Sequence, residues 1–69
     1  MMKETIKIDG MKCMHCTAAV KGALEAIDGV LNVEVILEDG VAVVDYDASS
    51  VNSGILKDAI EEQGFDVID

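Results

Sequence analysis

The chain of 69 residues has no proline, no tryptophan and only two aromatic residues, Tyr46 and Phe65. Because aromatic side chains are so scarce, the core must consist mainly of valine, isoleucine, leucine and alanine. A chain this short buries only about 60% of the surface that it exposes when unfolded. We therefore expect one domain, spanning residues 1–69, with an efficiently packed core.

Long apolar runs are also missing. None approaches the ~20 residues that a membrane-spanning helix needs. The first residues have neither the uninterrupted apolar region nor the small-residue cleavage site of a secretion signal. These absences predict a cytoplasmic protein that does not insert into membranes.

Basic residues are few, with five against 14 acidic residues and a net charge of −9. A nucleic-acid-binding protein needs a basic surface to displace counterions, so the net charge argues against this class. The charge is uneven along the chain: residues 1–21 carry four lysines against two acidic residues, whereas residues 22–69 carry one lysine against twelve. The positive charge of the first segment either steers an acidic partner towards it or is only solvated surface charge.

Both cysteines lie in one segment, Gly10–Cys16 (GMKCMHC), beside the only histidine. In a reducing compartment such a pair is more often metal-binding or redox-active than part of a disulfide framework. The spacing from Cys13 to Cys16 places two sulfurs within reach of one small ion when the spacer is a turn from loop into helix. A helix N-terminus and the neighbouring Lys12 favour the thiolate, which is the form that binds metals.

The number of donors narrows the choice of metal. Cys13, Cys16 and His15 supply at most three ligands, one fewer than a structural zinc site uses, and His15 projects differently from the cysteines. The cysteine count excludes a four-thiolate iron–sulfur cluster, and Thr17 after Cys16 excludes the haem-attachment motif. Two exposed thiolates suit a soft ion of low coordination number. Cu(I) is the physiological candidate, Hg(II) fits the same chemistry, and Zn(II) would need outside ligands.

Such an open site has a kinetic consequence. A thiolate from a partner is able to attack the ion before either original bond breaks, so the ion passes by stepwise ligand exchange. The main rival for this motif is a thiol–disulfide enzyme. Thioredoxin-like proteins place the motif after a βαβ run and usually need a cis-proline beside it, whereas here one short strand precedes it and proline is absent. The redox function is therefore the least favoured.

The hydrophobic pattern of the first half predicts a strand followed by a helix. Thr5–Asp9 alternates as a half-buried strand does, with its isoleucines on one face. A helix from Cys13 or Met14 to Ile27 is then expected, and Asp28-Gly29 ends it. Gly22 in this helix either allows close packing or faces solvent. The apolar stripe of the helix is Cys16, Val20, Ala23, Leu24 and Ile27.

The second half predicts two strands, Val30–Leu37 and Val41–Tyr46, joined at Asp39-Gly40. A second helix, capped by Asn52 or Ser53, ends at Gly64, and a last strand covers Phe65–Ile68. The residues expected to share the apolar face of this helix are Leu56, Ala59, Ile60 and Gln63. The order βαββαβ indicates an α+β fold, the ferredoxin-like sandwich with two helices on one face of a four-stranded antiparallel sheet.

The pattern Gly10-Met11-x-Cys13-x-x-Cys16 before an alanine-rich helix resembles the heavy-metal-associated domain, found in copper chaperones and in the N-terminal domains of copper-transporting P-type ATPases. The likeness covers nearly the whole chain, including Val44–Asp47 and Ala59–Phe65. It implies a carrier rather than an enzyme, with Cu(I) bound by Cys13 and Cys16. It also implies delivery to the metal-binding domain of a copper P-type ATPase by docking of like-folded domains.

Two alternatives remain within this family. Bacterial chaperones usually carry tyrosine after the glycine that corresponds to Gly64. This chain has Phe65 there, as ATPase metal-binding domains do. It is therefore either a free chaperone or an excised ATPase domain. Carriers of Zn(II) or Cd(II) often have an extra carboxylate beside the cysteines. Here the neighbours are Met14, His15 and Thr17, and Hg(II) stays an alternative cargo.

Three residues near the motif have accessory roles to consider. Met11 is either a third ligand or a buried residue that anchors the loop. His15, expected to be exposed, tunes the site, bridges a second metal in a dimer, or has no role. Phe65 shields the metal from water or only packs in the core. We expect a monomer without metal and a copper-bridged homodimer when two chains share copper.

Overall fold

The computed structural model describes residues 2–12 and 14–68. The strands of this part form one antiparallel sheet in the order β2-β3-β1-β4, and both helices pack against it. The arrangement confirms the predicted α+β ferredoxin-like sandwich. The elements are β1 (Met2–Asp9), α1 (Met14–Glu25), β2 (Val30–Ile36), β3 (Val41–Tyr46), α2 (Ser53–Glu62) and β4 (Asp66–Val67).

The core lies between the helices and one face of the sheet. The alternation of the strands and the stripes of the helices place aliphatic side chains on facing surfaces, so burial follows from the pattern. Tyr46 is buried too, and its hydroxyl donates a hydrogen bond of 3.2 Å to Oε1 of Glu4 at the rim. Burial, that hydrogen bond and the charge of Glu4 raise the pKa of Tyr46. The aliphatic members are Ile6, Ile8, Val33, Ala42, Val44 and Val51, with Val20, Leu24, Leu56 and Ile60 from the helices.

The element boundaries differ from the predicted ones where tertiary pairing or turn geometry decides them. Strand β1 begins at Met2 rather than Thr5 because its pairing with β3 starts at Met2, opposite Tyr46, and continues to Lys7. Helix α1 ends at Glu25, two residues early, because the N–H of Ile27 bonds to the carbonyl oxygen of Leu24 in a tighter turn.

Three further expectations need correction. Strand β2 ends at Ile36, since Leu37 enters the turn, and β4 is reduced to Asp66–Val67. Gln63 does not share the buried face of α2. It follows the last helical residue as the C-cap and is exposed. Asn52 is the N-cap of α2, and its Oδ1 accepts a hydrogen bond of 3.0 Å from the N–H of Ile55.

The end of the sandwich where α1 finishes is closed by backbone contacts. The N–H of Asp47 donates a 2.8 Å hydrogen bond to the carbonyl oxygen of Gly29. Gly29 has a φ of +99°, and a Cβ atom added there would lie 2.7 Å from Cγ2 of Val51 and 2.8 Å from Cβ of Ser50. Only glycine allows both this conformation and this close approach. The loop after β3 is therefore seated directly on the turn after α1.

The described helices are short, the longest being α1 with 12 residues. No helix within residues 2–12 and 14–68 has the length and apolar character needed to cross a bilayer.

A matched pair of glycine substitutions tests the close approach at Gly29. Gly29→Ala should lower the free energy of unfolding by about 1–3 kcal/mol, because it combines positive-φ strain with overpacking. Gly22→Ala should instead raise it by about 0.5–1 kcal/mol, because Gly22 is exposed on the helix and a Cβ there meets no atom within 4 Å. Urea denaturation followed by circular dichroism measures both values, and equal effects of the two variants would contradict the close approach at Gly29.

Candidate metal-binding site

The candidate site lies where β1 ends and α1 begins. Gly10 follows β1 with a φ of +101°, which turns the chain away from the sheet. Met11 is half-buried and packs against the core, which supports its role as an anchor of the loop, whereas Lys12 is exposed. Cys13 lies outside the described residues, so its role as a ligand stays a prediction.

The second cysteine lies in the first turn of α1. The helix begins at Met14, within the predicted range, so that Cys16 is its third residue. Cys16 is half-buried, while Met14 is 78% exposed and His15 is also exposed. The hydroxyl of Thr17 donates a 2.8 Å hydrogen bond to the carbonyl oxygen of Met14, and this bond stabilises the first turn.

The electrostatics of the first turn favour an anion. It contains no acidic residue, and the helix dipole places partial positive charge there. These are the surroundings in which a cysteine releases its proton readily and becomes a metal ligand.

The surface around the loop is less positive than the distribution of charge along the sequence indicates. Asp66 of β4 is directly opposite Asp9 of β1, and both are exposed. Asp39 precedes Gly40, whose carbonyl oxygen accepts a 2.8 Å hydrogen bond from the N–H of Ile8. The fold therefore brings carboxylates of the acidic segment to the lysine-containing end, and long-range steering of an acidic partner is weakened there.

Phe65 lies beside the start of the loop, as the predicted topology requires. Strand β4 pairs with Ile8 and Asp9, which carries Phe65 to Gly10. A Cβ atom added to Gly10 would lie 3.5 Å from Cδ1 of the Phe65 ring. The ring is half-buried and packs against the core, so both of its expected roles are compatible with its position.

The structure thus brings Gly10, Met11, Cys16 and Phe65 to one end of the molecule, with the side chains of Met14 and His15 directed into solvent. Among residues 2–12 and 14–68, no three histidine, cysteine, aspartate or glutamate side chains are grouped to hold a metal ion.

Sequence reasoning misses one feature next to the motif, a groove between α1 and β2 that encloses about 330 Å³. It starts at Met14 and follows the helix outward to the edge of the sheet. The small side chain of Ala18 leaves room for it. Because the groove depends on how α1 packs against β2, no local sequence pattern predicts it. Its lining residues are Met14, Thr17, Ala18, Lys21, Val33, Glu34 and Val35.

Comparison with known proteins places this geometry in a family. Residues 5–66 match the model of the heavy-metal-associated domain. A copper chaperone, CopZ of Staphylococcus aureus (strain bovine RF122 / ET3-1), is 50% identical over 68 residues, which are 99% of this chain and 100% of that protein.

Solved structures agree. A CopZ metallochaperone superposes with a TM-score of 0.95 at 48% identity, over 97% of this chain and 100% of the other. The copper-binding domain of HMA7, a P-type ATPase, gives a TM-score of 0.94 at 31% identity, over 100% of this chain and 96% of the other. With a family model covering most of its length and relatives this similar, the chain belongs to the heavy-metal-associated domain family.

Proposed function

We propose that this chain is a copper chaperone that carries Cu(I) between the sulfurs of Cys13 and Cys16. The observation that carries the proposal is the likeness to a copper chaperone at 50% identity along 99% of the chain. The position of Cys16 in the first, acid-free turn of α1 supports it, because this position stabilises a thiolate. Soft thiolates in turn prefer a soft, low-coordinate ion.

The proposed activity is transfer of cargo, not catalysis. A thiolate of the partner forms a third sulfur–copper bond, and one of the two original bonds then breaks. A second exchange completes the transfer, and the released cysteines take up protons. Copper stays Cu(I) throughout, so no oxidant or reductant is needed. Met14 and His15 leave this side of the loop open to the approaching partner, since both are exposed.

The proposed recipient is the metal-binding domain of a copper-transporting P-type ATPase, reached in the cytoplasm. The shared fold supports this, because the copper-binding domain of the P-type ATPase HMA7 superposes on this chain with a TM-score of 0.94. Two like-folded domains are able to present their cysteine loops to each other symmetrically. Two copies of this chain could face each other in the same way and share copper. We therefore expect a copper-bridged dimer, and a monomer when no copper is present.

Serine substitutions test the ligands. Anaerobic titration against a chromophoric Cu(I) chelator should give about one Cu(I) per wild-type chain, while Cys13→Ser and Cys16→Ser should each lose the competition, because one thiolate cannot hold the ion alone. Met14→Leu is the matched control, since it removes a third sulfur from the same segment and should leave binding intact. Tight Cu(I) binding by the double serine variant would overturn the proposal.

The identity of the cargo is tested separately. The chain should keep Cu(I) in the presence of excess Zn(II) or Cd(II), and X-ray absorption should show that only sulfur atoms are bonded to the copper. Hg(II) also binds paired thiolates in vitro, so a host lacking this chain decides that alternative: it should become sensitive to copper and not to mercury. The reverse sensitivity would indicate a mercury carrier.

Phe65 provides a test of shielding. Phe65→Ala should speed the transfer of Cu(I) to an added chelator by several-fold, because the ring that covers the start of the loop is removed. Phe65→Tyr keeps an aromatic ring and serves as the control, with a rate like that of the wild type. If stopped-flow absorbance shows equal rates for the alanine variant and the wild type, Phe65 only packs in the core.

A further inference from the structure

The groove between α1 and β2 has the form of a side-chain pocket. Its floor is Val33, which is only 3% exposed, with half-buried Val35 beside it. Its wall is the outer face of α1, where Ala18 and Lys21 are exposed. A volume of about 330 Å³ is at the lower end of the roughly 300–1,000 Å³ of ligand pockets and is ample for one aliphatic side chain.

The groove runs beside an open strand edge. Strand β2 is an edge strand of the sheet order β2-β3-β1-β4, so no described strand pairs with its outer side. The outward N–H and C=O groups of such an edge accept another extended chain. Leu31, 55% exposed, interrupts the register between Val30 and Asn32, and the regular part of the edge is therefore Asn32–Ile36. This part coincides with the floor of the groove.

The charges around this edge select the partner. Asp28 precedes β2, Glu34 lies within it, and Glu38 and Asp39 follow it, and all four are exposed. Among the described residues that line the groove, Lys21 is the only cation. The potential along the edge is therefore negative, which favours a basic ligand.

We propose that the groove between α1 and β2 binds an extended, basic segment of a partner protein. The segment adds to Asn32–Ile36 as a fifth strand, inserts one aliphatic side chain over Val33 and Val35, and places its lysine or arginine side chains against the carboxylates at both ends of β2. Such strand addition draws affinity from the backbone and specificity from the pocket. The proposal does not depend on the metal or on the cysteines.

A second copy of this chain fits the edge less well. Its own β2 carries Glu34, and each copy has a net charge of −9, so pairing of β2 with β2 would bring like charges together. The offset at Leu31 also shortens the edge available for pairing between copies. A basic segment carries the opposite charge and therefore avoids this repulsion.

Titration of the full-length, ¹⁵N-labelled protein tests the inference. The probe is a capped seven-residue peptide of alternating valine and threonine with a lysine at each end. We expect a dissociation constant below about 1 mM. The amide shifts should concentrate in β2 and in the first two turns of α1, with slowed hydrogen exchange along Asn32–Ile36, and they should be the same for the metal-free and the Cu(I)-loaded protein.

Controls separate strand addition from general attraction. The same peptide with alternate backbone amides N-methylated should not bind, and a peptide with glutamate at both ends should bind about five- to tenfold more weakly. Glu34→Lys and Ala18→Arg should weaken binding of the lysine peptide, whereas Glu61→Lys, the same charge change at an exposed position of α2, should not. Unchanged binding in Glu34→Lys, full binding of the N-methylated peptide, or a dimer through β2 in sedimentation would each overturn the proposal.

Discussion

The pairing of β1 with both β3 and β4 fixes the position of the candidate metal site. Strand β1 is an interior strand, and its inward residues Ile6 and Ile8 are 0% and 4% exposed. Its last residues are held on both sides, by the hydrogen bond from the N–H of Ile8 to Gly40 and by that from the N–H of Ile68 to the carbonyl oxygen of Lys7. The loop that follows therefore starts from a rigid point. It returns to the core through α1, which Val20 and Leu24 fasten to the sheet.

The two sides of the loop differ in exposure, which indicates the side from which a partner would approach. One side, with Met11, Cys16 and Phe65, is half-buried and belongs to the body of the domain, whereas Met14 and His15 face solvent. A partner's sulfur ligand that approaches from solvent would meet Met14 and His15 first. Because the first turn of α1 favours a thiolate, it assists the loss of the Cys16 proton when the proposed cargo binds. The carboxylates of Asp9 and Asp66 lie at this end as well. They offset the positive charge of the lysines there, so electrostatic attraction of an acidic partner acts only over short distances.

Much of the fold can be predicted from the sequence because the face of each element is a local property. Alternation identifies Ile6 and Val44, and the helical stripe identifies Leu24 and Ile60, before any contact is known. Val51 escapes this reasoning, because it stands alone in a polar turn and only the tertiary fold brings it into the core, beside Gly29. For the site, the spacing of the cysteines indicates the chemistry. The closeness of Asp9 to Asp66 and the groove beside Met14 arise from pairing between distant segments, which no local pattern encodes.

The closed end at Gly29 has a mechanical consequence for the other end. There the backbone bond from Asp47 joins the two halves of the molecule, and the carboxylate of Asp47 accepts further hydrogen bonds from Ser49, at 2.7 Å from Oγ and 3.0 Å from N. The sandwich is thus clamped about one helix length away from Cys16. A local rearrangement of the open rim therefore leaves this clamp in place, whereas an ion that binds only the folded chain would stabilise the whole domain.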